Sequence, residues 1–427
     1  MIKSAMMTSA YQTTKVGMPG QPIGTPFDVG AGHVDAVKTL SNPGIVFNTS
    51  FIDFQNFLCG TERASNDLCV ACTTTPPLCA PENLNMPSIV LPDVAPGSPR
   101  TIIRKVTSAL SEASTWAVSW ELYGSASQFI SISASPQNFG LRAKTSQRLL
   151  IRVVPNEAAL LAAQPILAAG GGIGLAGSAD EYMFGVMRIT EARGGMVAQL
   201  PLAVRILRYV DAPEEVTQDI RGHTAFTLTF SVVPGFSGPM SVVTTGLLVG
   251  QITQGLMNIT QPGFAVPVVM TVDIPQGATL ARLALFDADY NYAIDFDMTV
   301  LGPAATPGEQ GTVYECRTQG SSNEQVTLIN PRAGTYTVTV TPMYISDTIS
   351  GARSLYVHTV VFGAGAPDAM LQARPASLTA KVGVPVDVAL SVSGLTVGTF
   401  PRRHYFGVVR YKKGPVPLAE DTFLVLV

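Results

Sequence analysis

From about residue 100 onward, short apolar runs are separated by turn residues, and within the clearest runs apolar and polar positions alternate with a period of two. Ile294, Phe296, Met298 and Val300 fall on one side of an extended segment, and Asp295, Asp297 and Thr299 on the other. Tyr336, Val338 and Val340 repeat the arrangement with threonines between them. Successive side chains of a strand point to opposite faces, so this pattern predicts strands with one buried face. Strand-length runs also occupy residues 102–106, 117–122, 129–132, 149–153, 182–189 and 200–206, and later 384–390 and 405–411. About seven short strands over roughly 120 residues is what a fibronectin- or immunoglobulin-like sandwich requires. The chain opens differently: Ile2, Ala5, Met6 and Ser9 are spaced for an amphipathic helix, with no capping residue before it.

Two segments echo each other. Tyr182-Met-Phe-Gly-Val-Met-Arg resembles Tyr405-Phe-Gly-Val-Val-Arg, and residues 136–153 resemble 375–392. Two sandwiches of one superfamily would produce this echo, and so would convergent strand patterning.

Composition agrees with a mainly β body. The chain has 427 residues, enough for two to four domains, with 39 glycines and 31 prolines to supply turns. Only 13% of residues are charged and the formal net charge is -3, which leaves no electrostatic footprint for nucleic acid or an anionic membrane surface. Two uncharged stretches, 158–179 and 222–272, are interrupted by Gly, Pro, Ser or Thr too often to form a spanning helix of about 20 apolar residues. No membrane span is expected. Nor does the chain open with a secretory signal peptide; were it a fragment, such a signal would lie upstream.

Few residues suggest chemistry. Asp287, Asp289, Asn291, Asp295 and Asp297 form the one cluster with ligand character, because calcium takes six to eight oxygens. It is not an EF-hand, since Tyr292 and Met298 stand where glycine and glutamate are required. The cluster reads first as a polar turn whose aspartates face water and discourage edge pairing, with calcium as the candidate cofactor. The Gly170 to Gly177 run contains G-x-G-x-x-G but neither follows a Val/Ile-rich strand nor opens a helix, so it reads as an Ala/Gly insert. His33, His223, His358 and His404 show no metal-ligand spacing. Trp116 and Trp120 are separated evenly and share a strand face, as core residues rather than a sugar platform. Cys59, Cys69, Cys72 and Cys79 are close in sequence; Cys69-x-x-Cys72 has the spacing of a zinc ligand pair, but the other two do not, and disulfides are the alternative. Cys316 stands alone. Asn48 and Asn258 begin glycosylation sequons, usable only in the secretory route.

Five motifs in the first ninety residues occur in a fixed order. They are Ile2-Lys3-Ser4-Ala5-Met6-Met7-Thr8-Ser9-Ala10, Pro26-Phe27-Asp28-Val29-Gly30-Ala31-Gly32-His33-Val34, Asn42-Pro43-Gly44-Ile45-Val46-Phe47, Asp53-Phe54-Gln55-Asn56-Phe57-Leu58-Cys59 and Leu84-Asn85-Met86-Pro87-Ser88-Ile89. In this order and spacing they resemble the end of the catalytic domain of plant-type, cucumisin-like subtilisin-like serine proteases. The resemblance implies a C-terminal remnant of the α/β catalytic domain over 1–81, then a fibronectin type III-like sandwich over 82–211. The run Phe286-Asp287-Ala288-Asp289-Tyr290, followed by Asp295-Phe296-Asp297-Met298 and by Asn330-Pro331-Arg332-Ala333-Gly334-Thr335-Tyr336, resembles the prepeptidase C-terminal domain, a jelly-roll-like sandwich, placed at 212–364. A short terminal sandwich segment over 365–427 would close the chain.

The resemblance also subtracts. The serine, histidine and aspartate motifs of that family are absent from this sequence, and His33 belongs to a Gly-Ala-Gly-His motif that is not catalytic in the family. No catalytic residue is therefore expected here, since a serine nucleophile needs a base in reach and the base an orienting carboxylate. The implied function is the C-terminal region of a secreted serine endopeptidase, with the upstream catalytic domain and protein substrates as partners. A non-catalytic extracellular or wall-associated binding protein is the alternative. The resemblance favours pairing Cys59 with Cys79, leaving Cys69 with Cys72. It also implies that the opening helix and residues 1–58 pack poorly without an upstream segment.

Overall fold

The computed structural model describes residues 1–11, 24–41, 43–61, 79–168, 182–193, 195–220, 222–261, 264–291, 294–304, 310–316, 320–346, 349–363, 370–396 and 403–427. Cys69, Cys72, Asn42, Tyr292 and the Gly170 to Gly177 run lie outside them. The chain divides into two compact units, one comprising Met1–Tyr209 with Gly235–Ser237 and the other Val210–Pro234 with Gly238–Val427.

The first unit opens with α1 (Ile2–Ser9), α2 (Pro26–Val29), α3 (Ala36–Ser41), the short strand β1 (Ile45–Phe47) and α4 (Phe51–Gly60). The α1 helix buries Ser4, Ala5, Thr8 and Ser9, while Ile2 and Met6 face outward. The buried stripe is therefore the small, partly polar one, and Ile2 and Met6 are left uncovered. Small side chains let the helix approach β1 closely enough for Ser4 Oγ to accept a hydrogen bond from the Phe47 backbone N–H at 2.7 Å. At the start of α4, Ser50 and Asp53 form a capping box, each side chain accepting from the other's backbone N–H, at 3.2 and 2.6 Å.

A sandwich follows, built from β2 (Ile89–Val94), β3 (Arg100–Ser108), β4 (Ser114–Leu122), α5 (Ala126–Phe129), β5 (Ile130–Ser135), β6 (Asn138–Leu141), β7 (Ser146–Pro155), α6 (Glu157–Ala168), β8 (Tyr182–Glu191) and β9 (Val197–Ile206). One sheet has the order β1-β3-β7-β5, the other β2-β9-β8-β4-β6. All pairs are antiparallel except β2 with β9. Alternate residues are buried, among them Ile102, Leu149, Ile151, Met187, Ile189 and Trp116.

The second unit contains β10 (Val210–Asp211), β11 (Glu215–Gln218), β12 (Phe226–Pro234) and β13 (Gly238–Val249). It continues with β14 (Gln251–Gln261), β15 (Phe264–Ala265), β16 (Val268–Ile274), β17 (Ala278–Ala284), β18 (Ile294–Leu301), β19 (Val313–Cys316), β20 (Gln325–Ile329), β21 (Gly334–Ile345) and β22 (Gly351–Gly363). It ends with β23 (Leu371–Arg374), β24 (Ser377–Ala380), β25 (Val386–Val392), β26 (Tyr405–Lys413) and β27 (Val416–Leu426). Its outer strands form sheets β10-β12-β25-β23 and β11-β27-β26-β13-β24, with β11 and β27 parallel. Strand for strand, this is the order found in the first unit. Between β13 and β23, a further sandwich is inserted, with sheets β15-β14-β22-β17-β20 and β16-β21-β18-β19. Its core includes Phe296, Met298, Val300, Val338 and Val340, as the alternation of the sequence required. Leu280, Phe286, Val360 and Phe362 of the insert share a second core with Phe406, Val408 and Val425 of the host sandwich.

The architecture is mainly β, in packed sheets, as expected. The organisation of the second half differs from the serial one drawn from sequence. Residues 226–249 pair with 377–392 and 405–413, so the expected division at 364/365 does not separate two sets of hydrogen-bonded strands. The terminal segment completes a sandwich begun before the insert.

Candidate functional site

The insert meets its host around three buried side chains. The β17 strand ends in Leu285 and Phe286, and the chain then makes a 3-10 turn over Asp287–Asp289. Asp287 stabilises this turn by accepting hydrogen bonds from Ser321 Oγ (2.9 Å), the Ser322 backbone N–H (2.7 Å) and Asn323 Nδ2 (3.1 Å). Two residues on, Asp289 points the other way, into the interior. His358, in the middle of β22, places Nε2 2.6 Å from Asp289 Oδ2, and His404, just before β26, places Nε2 3.0 Å from Oδ1. All three side chains are fully buried.

The shell around this cluster is aromatic. The Phe286 ring lies 4.2 Å from His404 and 5.4 Å from His358 between centroids, and the two imidazoles meet edge to face at 4.4 Å. Gly250, at the crossing from β13 to β14, donates its backbone N–H to the His404 carbonyl at 3.1 Å. A Cβ there would lie 2.8 Å from the Phe406 ring and 3.4 Å from His358 Cβ, so the absent side chain is what allows the crossing. Burial works to raise the Asp289 pKa. The hydrogen bonds from His358 and His404, with their charge, outweigh that and hold it below its ordinary value. Asp289 is thus an acceptor for both rings.

Among the described residues, this is the group of three metal-ligating side chains whose ligand atoms come together, all within 4.8 Å of one another. Sequence spacing did not reveal it. His358 and His404 are 69 and 115 residues from Asp289, and His358 sits in an apolar run that reads simply as a core strand. The one signal available was that Asp289 and His358 are polar residues at otherwise buried positions. The five expected oxygen ligands do not converge: Asp287 and Asn291 are exposed, Asp289 turns to the histidines, Asp295 accepts from the Gly320 N–H at 3.0 Å, and Asp297 is half-buried on β18. His33 and His223 are exposed. Asn48 and Asn258 are both exposed. Cys59 and Cys79 are in the disulfide-bonded state, whereas Cys316 is a half-buried thiol outside any disulfide, its Sγ accepting from the Gln325 backbone N–H at 3.4 Å. Trp116 is buried and Trp120 half-buried on the inner face of β4.

Sequence relatives match stretches of this chain. Subtilisin-like protease SBT1.7 of Arabidopsis thaliana is 44% identical over 70 residues, covering 15% of this chain and 9% of the relative. Subtilisin-like protease SBT2.6 of the same plant is 30% identical over 161 residues, 34% of this chain and 19% of the relative. Over these segments the chain is similar to plant subtilisin-like proteases. The aligned parts span less than a fifth of these relatives' length. No protein-family model matches. A secreted serine protease of Vibrio cholerae, VesC, overlaps 64% of this chain and 49% of its own at 12% identity, with a TM-score of 0.22, too low to argue from. No helix among the described residues is long and apolar enough to cross a membrane. Relative to the subtilisin-like proteases, the buried Asp-His-His cluster is therefore not a displaced triad: it has no serine, and all three members are sealed from solvent.

Proposed function

We propose that this polypeptide is the C-terminal region of a secreted subtilisin-like serine endopeptidase, closing its catalytic domain and adding β-sandwiches to it. The observation that carries this reading is the 44% identity over 70 residues to a plant subtilisin-like protease, together with five motifs in family order. In the parent enzyme a serine nucleophile would attack the peptide carbonyl, with the oxyanion stabilised by hydrogen-bond donors. Those groups lie in the catalytic domain upstream.

Apolar side chains in the opening segment support the reading. Ile2, Leu40 and Phe51 are 77%, 86% and 83% exposed, and Val37, Ile52 and Phe54 are exposed beside them in sequence. So much uncovered apolar area over one short stretch marks a surface made to be covered. Its occupant in this reading is the rest of the catalytic domain. A disulfide between Cys59 and Cys79 would staple α4 to the strand-rich part, since a Cβ on Gly60 would collide with the Cys79 carbonyl. Glycans on the exposed Asn48 and Asn258 would accompany secretion.

The test uses the native polypeptide, captured with an antibody against residues 371–426. It should exceed 45.0 kDa, react with a fluorophosphonate probe, and yield the labelled serine in a peptide upstream of Met1. The 427-residue chain alone should not react. A native species of 45.0 kDa that leaves the probe untouched would overturn the reading and favour a non-catalytic binding protein.

A further inference from the structure

We propose that Asp289, His358 and His404 bind one divalent transition-metal ion of the zinc class, and that this ion fastens the inserted sandwich to its host. Two imidazoles and a carboxylate are the donor set of zinc and its neighbours, whereas calcium takes oxygens. The ligands come from three separate elements: the turn before β18, the centre of β22 and the residue before β26. They converge with Nε2 of both rings on the two oxygens of one carboxylate, at 2.6 and 3.0 Å. Ligand atoms on a tetrahedral zinc with bonds of about 2.0–2.1 Å stand roughly 3.3 Å apart. An ion would enter by bringing the three ligand atoms, all within 4.8 Å of one another, to that separation.

His358 supplies an independent observation. It is fully buried, and its Nδ1 has no hydrogen-bond partner among the described residues. The hydrogen bond of its side chain is thus at Nε2, on the side where Asp289 and His404 converge, so the cluster itself orients the ring. When the metal binds, each Nε2 lone pair goes to the ion and each ring proton resides on Nδ1. Any second proton on an imidazole leaves to solvent. Because Phe286 and Phe406 wall the site and no ligand is exposed, the ion's role is to hold elements together rather than to activate a substrate.

The full-length chain, freed of metal by chelation under denaturing conditions and refolded with zinc, should retain one equivalent after desalting. The refolded protein given cobalt(II) instead should show visible bands of a nitrogen and oxygen site without near-ultraviolet thiolate charge transfer, which distinguishes it from Cys69 and Cys72. A Cys69→Ser/Cys72→Ser variant should bind unchanged. Asp289→Asn and His404→Gln, which keep side-chain shape, should each weaken retention more than about tenfold. Zinc should raise the melting temperature of the parent chain but not of these variants. Refolded parent chain that holds no zinc, or a cobalt spectrum dominated by thiolate, overturns the proposal whether or not the variants fold. Retention unchanged in folded Asp289→Asn does so as well, leaving a purely hydrogen-bonded cluster.

Discussion

The sandwich of the first unit and the host sandwich of the second share one strand order, yet only one of them has been opened. In the first, β4 reaches β5 through a short connection containing α5; in the second, the corresponding step from β13 to β23 carries an entire further sandwich. Closing a loop costs entropy that grows only slowly with its length, so a domain is tolerated where a turn was, provided its two ends emerge close together. The insert then needs something to fix it. Phe286, Val360 and Phe362 supply apolar contact with Phe406 and Val408, and Asp289 reaches His404 at the start of β26. The first unit has no insert at this connection and so nothing there to fasten.

Register extends the comparison to single residues. Ser119 of β4 lies opposite Arg188 of β8, as Val243 of β13 lies opposite Arg410 of β26. By the same register Trp116 corresponds to Met240, and both are buried. Trp116→Ala should cost about 3–5 kcal/mol and Met240→Ala about 2–5, each through lost burial and a cavity. Trp116 and Trp120, the chain's two tryptophans, both lie in the first unit. Denaturation followed by the fluorescence of the remaining Trp120 should therefore show the first loss at a lowered midpoint, with circular dichroism following the second. A Trp116→Ala protein with an unmoved midpoint would break the assignment of Trp116 to the core.

How far the sequence carried this picture depends on the distance between interacting residues. The strand of Ile294 to Val300 was legible because its alternation is local, and the structure buries those four apolar positions. The echo between residues 182–188 and 405–410 was legible as well, but could not be distinguished from chance patterning. What decides it is strand order, including the parallel β2–β9 and β11–β27 pairs, and pairing across more than a hundred residues leaves no local trace. The nested insert was missed for that reason. The Asp289, His358 and His404 cluster was missed for the same one, because three ligands on three elements have no motif.

The two equivalent arginines differ in where their carboxylates lie. Arg188 pairs with Glu121 on the neighbouring β4, which is 51% exposed. Arg410 has Thr245 at that place and pairs instead with Asp421 of β27 at 3.4 Å, which is 24% exposed. Burial pushes the Asp421 carboxyl up to about 6, against the pull of Arg410. A folded pKa above the ordinary value of 3.8 means that the native state holds the proton more tightly. The resulting stabilisation is complete below about pH 4 and is lost as pH rises through 6. Asp421→Asn should remove that loss, gaining about 2 kcal/mol at pH 7.5 relative to the parent's trend. Urea midpoints measured from pH 4 to 8 check this, and an unchanged profile would contradict it. Arg410→Met should cost about 2 kcal/mol at pH 7 by leaving Asp421 buried without its partner, whereas Arg188→Met should cost less than about 0.5. Equal losses would show that the relocated carboxylate has no energetic consequence.

The glycines three positions before these arginines give the smallest and most local contrast. Gly185 and Gly407 stand at the same place in the echoed motif, and in both sandwiches the space for a side chain is taken. At Gly185 an added Cβ would lie 2.6 Å from the Glu121 carbonyl oxygen, and at Gly407 it would lie 2.7 Å from Leu371 Cδ2 and 3.2 Å from Leu247 Cδ2. A carbonyl in a strand ladder cannot retreat without losing its pairing, but the end of a leucine can change rotamer. Gly185→Ala should therefore cost about 2 kcal/mol and Gly407→Ala about 1 or less, although the ångström figures are nearly the same. Thermal midpoints of the two single variants measure the difference. If Gly407→Ala proves the worse, the leucines around it are held as rigidly as backbone, and the host sandwich is packed more tightly at its junction with the insert than the first sandwich is anywhere along β8.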